Sequence, residues 1–167
     1  MELKIEKKTG RLIIDDARII FRNFEGRGGD YNREGDRNFQ LIIPDKEMAD
    51  VLVSNGWNVK IKPGVNPDDD PRMSLRVKVK FTEYGPDIYL VSGKNRRNLS
   101  EDEAYSLDRM TIKRVDMDIR PYDWTVNGKT GRTAYLDRLW VEQDIDRFAQ
   151  RFAEEEAPDD EDELPFK

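Results

Sequence analysis

Residues 74–81 alternate strictly between apolar and polar side chains, and no other feature of the chain constrains its fold as much. The apolar positions are Leu75, Val77, Val79 and Phe81, and the basic positions between them are Arg76, Lys78 and Lys80. Successive side chains of a β-strand point to opposite faces of a sheet, so this period of two predicts a half-buried strand. One face of the predicted sheet is therefore apolar and the other is basic.

Further strands and two short helices are predicted around this segment. The apolar runs that predict strands lie at residues 11–24, 38–43, 57–62 and 87–91. Asp45 is suited to cap a short helix that ends before Gly56, and Ser100 with Glu103 fits a capping box that opens a second helix. The four glycines of residues 25–36 predict a mobile loop.

Residues 111–153 are predicted to form a long hairpin and a final helix. Asn127-Gly128 is a strong signal for a two-residue turn, so residues 111–143 are predicted to form two antiparallel arms. Apolar residues recur at helical spacing through residues 144–153, which predicts an amphipathic helix. The aromatic residues predicted to lie in the core are Trp57, Phe81, Trp140, Phe148 and Phe152.

At least five short strands with small helices favour a curled or closed antiparallel sheet. We predict a mainly β fold, an OB-type (oligonucleotide-binding) five-stranded antiparallel barrel with short helices. A β-sandwich is the alternative that strand spacing leaves open.

The 167 residues include no cysteine and no histidine, which excludes disulfides, zinc ribbons, iron–sulfur sites and catalytic triads with a histidine base. The three aspartates at residues 68–70 lack the spacing of a calcium-binding loop. The Gly-Lys-Thr sequence at residues 128–130 lacks the earlier glycine of a phosphate-binding loop. We expect no enzyme activity, no metal and no cofactor. The alternative is a metal-dependent nuclease that uses Asp116 and Asp118, which share one face of a predicted strand.

The net charge of −6 is unevenly distributed along the chain. Residues 154–167 hold eight of the 35 acidic residues and one of the 29 basic residues, which leaves 27 acids and 28 bases in residues 1–153. A block of like charges repels itself, so we predict one folded domain over residues 1–153 and a disordered acidic interaction tail over residues 154–167. No aliphatic run exceeds three residues and no apolar stretch follows Met1, so neither a membrane partner nor a signal peptide is expected.

The tail closes on an acidic run that is followed by an aliphatic residue, a proline and a phenylalanine. These residues are Asp160, Glu161, Asp162, Glu163, Leu164, Pro165 and Phe166, and Lys167 comes last. This end resembles the C-terminal tip of single-stranded DNA-binding proteins, and of phage proteins with the same role, although those tips usually end at phenylalanine. Residues 18–24, 35–39, 56–60 and 120–124 of the body also resemble phage proteins of this kind. The resemblance implies that the seven tip residues bind replication or recombination proteins.

Basic and aromatic residues of the body form the predicted DNA-binding site. Single strands are bound by stripes of cations that neutralise phosphates, beside rings on which bases stack. The predicted cations are Lys60, Lys62, Arg76, Lys78, Lys80 and, in the glycine-rich loop, Arg33. The predicted stacking rings are Tyr31, Tyr84, Tyr122 and Trp124.

Taken together, these features predict sequence-independent binding of single-stranded DNA in phage replication or recombination. The expected partners are single-stranded DNA and, through the tail, replication or recombination proteins, while a homodimer is left open. We expect the tail to compete for the DNA groove and the protein to act in the cytoplasm of the infected bacterial host. The alternative is a DNA mimic or interaction protein without nucleic-acid binding, which should be acidic throughout, whereas this body is near neutral.

Overall fold

The computed structural model of the protein describes residues 1–145 together with Phe148 and Arg151. This part of the chain forms ten strands, one α-helix and one 3₁₀ helix. In chain order they are β1 (Glu2–Ile5), β2 (Leu12–Asp15), β3 (Ile19–Asn23), β4 (Arg37–Ile43), α1 (Lys46–Ser54), β5 (Val59–Lys62), β6 (Arg72–Val79), β7 (Asp87–Ser92), β8 (Asn95–Leu99), the 3₁₀ helix (Glu101–Asp108), β9 (Ile112–Val126) and β10 (Lys129–Gln143).

All ten strands belong to one sheet, in which β10 is the central strand. The main order is β1-β2-β9-β10-β6-β4-β3, with β5 added to β6, β7 to β10 and β8 to β7. β10 runs antiparallel to β9, and it runs parallel first to β6 and then to β7. The prediction of a mainly β, OB-like fold is confirmed, although the sheet has ten strands rather than five. Within the described residues the end strands β1 and β3 do not pair, so the sheet is not closed.

The alternation of β6 is realised as predicted. Leu75, Val77 and Val79 are at most 4% exposed, whereas Arg76, Lys78 and Lys80 are exposed. Phe81 follows the strand and packs half-buried against the core. The inner face of the sheet therefore supplies the core, and the outer face presents cations.

The local signals for turns and caps are also confirmed. Asn127 and Gly128 have φ values of +52° and +79°, as a type I′ hairpin turn requires, and they join β9 to β10. The side chain of Asp45 accepts a hydrogen bond of 2.8 Å from the backbone N–H of Met48 at the start of α1. Ser100 and Glu103 form the predicted capping box, and the helix that it opens is a 3₁₀ helix.

Two predicted elements differ from the structure. Residues 11–24 form two separate strands, β2 and β3, because the chain turns at Asp16, where φ is +55°. The helix predicted over residues 144–153 does not begin at residue 144. Asp144 instead donates its backbone N–H to the carbonyl oxygen of Thr111 and extends the base of the β9–β10 hairpin. Phe148 and Arg151 are helical, and the other positions from 146 onwards, including the tail, lie outside the described residues.

The core predictions for the aromatic residues are confirmed in part. Trp57 is 2% exposed and belongs to the core, as predicted. Trp140 is half-buried on the outer face instead, with its ring 6.1 Å from that of Tyr89. Phe148 is 53% exposed, so its assignment to the core was wrong, and Phe152 lies outside the described residues. Among the described residues, no helix is long and apolar enough to span a membrane.

Candidate nucleic-acid interface

Side chains that face the same way as Arg76 and Lys78 define the outer face of the sheet. In an antiparallel pair, directly opposed residues share a face. Gln40 lies opposite Arg76 and Asn38 lies opposite Lys78, so β4 extends this face with amide groups. Hydrogen-bonding side chains thus border the two cations of β6.

The lysines of β5 join the same face. Lys60 lies opposite Ser74 and Lys62 lies opposite Arg72. Ser74 and Arg72 are an even number of residues from Arg76 on β6, so they point to the same face of the sheet. The structure therefore brings Lys60, Lys62, Arg76 and Lys78 together, with Lys80 directly after the end of β6. Among the described residues, none of these five cations forms a salt bridge. Their charges are available to an anionic ligand.

A cluster of aromatic residues lies next to these cations, on the β9–β10 hairpin. Tyr135 of β10 is the register partner of Lys78 on β6. The guanidinium of Arg120 lies 4.9 Å from the centroid of the Tyr135 ring, and the ring of Tyr122 meets the ring of Tyr135 edge-on at 5.9 Å. Tyr135 and Arg120 were not predicted from the sequence. The two-residue turn at Asn127-Gly128 sets their pairing, and that register was the signal that could have found them.

Trp124 occupies the outer end of the same hairpin face. It lies opposite Gly131, and a Cβ atom at position 131 would overlap the indole ring. The absence of a side chain at Gly131 thus lets the indole lie against the backbone of β10. Trp124 is 38% exposed and Tyr122 is 54% exposed, so both predicted rings are accessible to a base.

A cleft of about 350 Å³ lies at the C-terminal end of β6. Its lining includes Arg76, Lys78, Lys80 and Tyr135, so three predicted cations and one ring surround the same space. Arg37 also lines the cleft, but it is paired with Glu101 at 2.8 Å, and its guanidinium lies 5.3 Å from the centroid of the Phe81 ring. The open positive charge of the cleft therefore comes from Arg76 and Lys78 of β6 and from Lys80 directly after it.

The glycine-rich loop reaches the outer face through Asn32. Its side-chain amide donates to the carbonyl oxygens of Arg27, Arg33 and Asp36, which holds the loop together. Its Oδ1 accepts hydrogen bonds from Asn38 at 2.9 Å and from Arg76 at 3.4 Å. The predicted residues Tyr31 and Arg33, both exposed, thereby flank the residue that contacts the basic strand.

Tyr84 stands apart from the residues above. It is 87% exposed in the turn after Lys80, where Thr82 and Gly85 form a bridge, and it does not line the cleft. The structure thus places four of the predicted cations on adjacent strands and two predicted rings on the neighbouring hairpin. Tyr84 is not brought into that group.

The two carboxylates of the nuclease alternative are occupied by arginines. Asp118 accepts a hydrogen bond of 2.7 Å from Arg138, and Asp116 accepts one of 3.1 Å from Arg114. These carboxylates raise the pKa of both guanidinium groups, chiefly through the hydrogen bonds. Within the described part of the chain, no group of three or more acidic side chains is placed to hold a metal ion.

An open OB-like sheet whose outer face presents unpaired cations beside aromatic rings is typical of proteins that bind single-stranded nucleic acid. Residues 1–164 match the model of the family described as "Putative phage ssDNA-binding domain". The chain belongs to this family of phage single-stranded DNA-binding proteins. No curated protein sequence matches the chain.

Solved structures with a similar fold come from bacteriophage Enc34. The structure of its single-stranded DNA-binding protein in complex with ssDNA has a TM-score of 0.54 and 16% sequence identity, and the match covers 84% of this chain and 90% of that chain. A second structure of the Enc34 protein has a TM-score of 0.52 at 16% identity, over 89% of this chain and 93% of that chain. The structure of a C-terminal truncation of the Enc34 protein has a TM-score of 0.51 and 16% sequence identity, and the match covers 87% of this chain and 97% of that chain. At this identity the similarity shows a shared fold.

Proposed function

We propose that the chain binds single-stranded DNA, without sequence preference, along the outer face from β5 and β6 to the β9–β10 hairpin. The register pairing of Tyr135 with Lys78 carries this proposal, because it joins the cations of β6 to the rings of the hairpin. Family membership supports single-stranded DNA as the ligand. The similar Enc34 protein, solved in complex with ssDNA, supports an OB-like sheet as the scaffold.

In this proposal the cations and the rings have separate tasks. Lys60, Lys62, Arg76, Lys78 and Lys80 neutralise phosphates, and the release of counterions supplies affinity that does not depend on sequence. Tyr122, Trp124 and Tyr135 stack on bases, which every base permits because each has a flat π-face. Tyr31 and Arg33 of the glycine-rich loop close over the bound DNA, because Asn32 holds this loop against Arg76.

The first experiment compares fluorescent oligo-dT with blunt duplex at two salt concentrations. We expect tighter binding of oligo-dT, because stacking requires unpaired bases, and a log–log salt slope of about −0.7 for each phosphate contacted. Equal affinity for the two ligands would rule out the proposed function.

The second arm of the experiment locates the interface. The triple variant Arg76→Glu, Lys78→Glu, Lys80→Glu should bind oligo-dT more weakly and with a flatter salt slope, while its melting temperature changes little because all three side chains are exposed. The matched control reverses three exposed lysines in and beyond β1, an end strand that β2, β9 and β10 separate from β6, with Lys4→Glu, Lys7→Glu and Lys8→Glu. Equal losses in the two triple variants would show that overall charge, and not β6, determines binding.

We further propose that the acidic tail recruits replication or recombination proteins through its Leu164-Pro165-Phe166 tip. Carboxylates attract a basic partner surface over long range, while the apolar tip gives the contact a defined end point. The 14 residues of the tail span roughly 45–50 Å when extended, against a radius of gyration of about 15 Å for a body of this size. The tail is therefore long enough to compete for the DNA groove when no DNA is bound. Phage replication would place the protein in the cytoplasm of the infected host.

A further inference from the structure

Phe21 is an aromatic residue whose position neither the core nor ordinary strand geometry explains. Its side chain is 64% exposed, although it lies within β3. Its φ is +52°, in the left-handed region that bulky side chains rarely adopt. Among the described residues, Phe21 is neither in the core nor among the hydrophobic residues that pack against it. The fold thus holds a large ring in solvent on an unfavourable backbone.

A β-bulge accounts for the exposure of the ring. Ile20 pairs with Gln40 and Asn23 pairs with Asn38, so β3 contains one residue more than β4 over the same interval. Normal alternation after Ile19, which packs against the core, and Ile20 would return the side chain of Phe21 to the inner face. The extra residue breaks this alternation and leaves the ring outside. Bulges often redirect a side chain next to a functional site.

The surroundings of Phe21 are those of the DNA-binding face. The guanidinium of Arg72 lies 5.2 Å from the centroid of the Phe21 ring, and Arg72 has the same parity on β6 as Arg76. Lys62 lies opposite Arg72 on β5. Within the described part of the chain, neither Arg72 nor Lys62 forms a salt bridge. A flat apolar ring beside the unpaired Arg72, with Lys62 next to Arg72 on the adjacent strand, suits a ligand that has a flat base and a charged phosphate.

We propose that Phe21 and Arg72 form a further nucleobase-binding position at the β3 edge of the outer face. The inference rests on the proposed function and extends its path from the hairpin rings across β6 and β4 to β3. From β10 through β6 and β4 to β3 there are three strand spacings, about 14 Å in all. A base stacks on the exposed ring of Phe21, while Arg72 either covers the base or turns to its phosphate.

The test exploits the strain at Phe21, because the two possible roles of the ring predict opposite effects on stability. Asparagine tolerates a positive φ, so Phe21→Asn should leave the melting temperature equal to or above that of the unchanged protein. The affinity for long oligo-dT should fall about 5- to 150-fold, which is the usual range for one stacked base. A fall in the melting temperature of Phe21→Asn would instead assign the ring to packing and overturn the inference.

Two further variants separate the aromatic ring from apolar bulk. Phe21→Trp should retain binding, whereas Phe21→Leu should lose it as Phe21→Asn does. Tyr105→Ala is the matched control. Tyr105 is 47% exposed and has the guanidinium of Arg109 at 5.9 Å from its ring centroid, but it lies on the 3₁₀ helix and not on the sheet. This variant should bind oligo-dT normally.

The outcomes also distinguish this inference from the proposed function. If Phe21→Asn binds like the unchanged protein while the triple variant of β6 binds weakly, the position at Phe21 is rejected and the DNA interface stands. If the unchanged protein does not prefer oligo-dT to duplex, the proposed function itself fails. Loss of binding in Phe21→Leu with retention in Phe21→Trp supports the nucleobase position.

Discussion

Tyr122 and Trp124 are held on the hairpin by different contacts, but both rings remain exposed. Tyr122 meets Tyr135 edge-on, and Trp124 lies against the backbone at Gly131. Both rings are more than a third exposed, so neither depends on deep burial for its position. Their removal should therefore affect a bound base more than the fold.

We expect Tyr122→Ala and Trp124→Ala each to lose about 1–3 kcal/mol of oligo-dT binding, because each ring offers one stacking surface. Thermal unfolding should change little in either variant. Val126→Ala is the control, since Val126 is 57% exposed on the same hairpin face and has no ring. A large drop in melting temperature with unchanged DNA affinity would show that the ring serves the fold. Fluorescence titration and thermal melts measure the two effects.

For single residues, the sequence predicted the exposure of those side chains that a local pattern controls. The alternation of residues 74–81 correctly placed Arg76, Lys78 and Lys80 in solvent, because a period of two follows from the geometry of one strand. Phe21 could not be predicted in this way. Its exposure depends on a bulge, and a bulge is defined by the pairing of β3 with β4 rather than by β3 alone. Phe148 was misplaced because helical spacing indicates an apolar face without saying whether that face is covered.

The elements of the site depend on how the β9–β10 hairpin is attached to the body. Arg132 lies on the face opposite to Trp124 and donates to the carbonyl oxygen of Asn55 at 2.7 Å, with its guanidinium 5.3 Å from the centroid of the Trp57 ring. It also forms two hydrogen bonds with Asp123, at 2.7 and 3.1 Å. One side chain thus fastens the hairpin to the segment between α1 and β5.

Arg132→Ala should lower the free energy of unfolding by about 1–3 kcal/mol, because Asn55 and Asp123 lose charged hydrogen bonds from a half-buried guanidinium. Asp123→Asn should cost at most about 0.5–1 kcal/mol, since the carboxylate is 64% exposed. Urea denaturation of the two variants measures the difference. Equal effects would mean that the ion pair, rather than the contacts with Asn55 and Trp57, fastens the hairpin.

The ion pair also predicts a direction with pH. The hydrogen bonds from Arg132 hold the pKa of Asp123 below its usual range. A lowered folded pKa means that the contribution of the pair is present above the unfolded pKa of about 4, and is lost as the pH falls through the folded value. The effect of Asp123→Asn on stability should therefore be present at neutral pH and disappear in acid.

Element types were easier to predict than element partners. The hairpin register follows from its two-residue turn, whereas the parallel pairing of β10 with β6 and β7 joins segments that no turn connects. β8 was missed because its first four residues are polar and fully on the surface, so they give no alternation. The strand gains its place only by pairing with β7.

At the scale of the whole molecule, charge is separated between the outer face and the C-terminal segment. Lys60, Lys62 and the cations of β6 are unpaired within the described residues, while residues 154–167 carry eight acids and one base. The acidic block is evident from the sequence because it depends only on counts along the chain. The sequence did not predict that the two strands carrying these cations would be neighbours, since this depends on the pairing of β5 with β6.

Removal of residues 154–167 should strengthen DNA binding and abolish recruitment of partner proteins. The segment has a side-chain charge of −7, and a tethered anion acts at an effective concentration that reaches millimolar, so even weak contacts with the outer face compete with DNA. The gain in oligo-dT affinity should be largest at low salt, where screening is weakest. The melting temperature should not change, because β10 ends at Gln143 and the deletion leaves all ten strands of the described part in place.

A variant of equal length, with the eight acids replaced by Asn and Gln, should reproduce the gain in affinity and so assign it to charge. Phe166→Ala should behave differently, with DNA affinity nearly unchanged and pull-down of replication proteins lost, because the proposed function assigns docking to the apolar tip and the substitution leaves the charge of the tail unchanged. Oligo-dT binding that is weaker after the deletion than before it, at low salt, would show that the tail assists binding rather than competing with DNA.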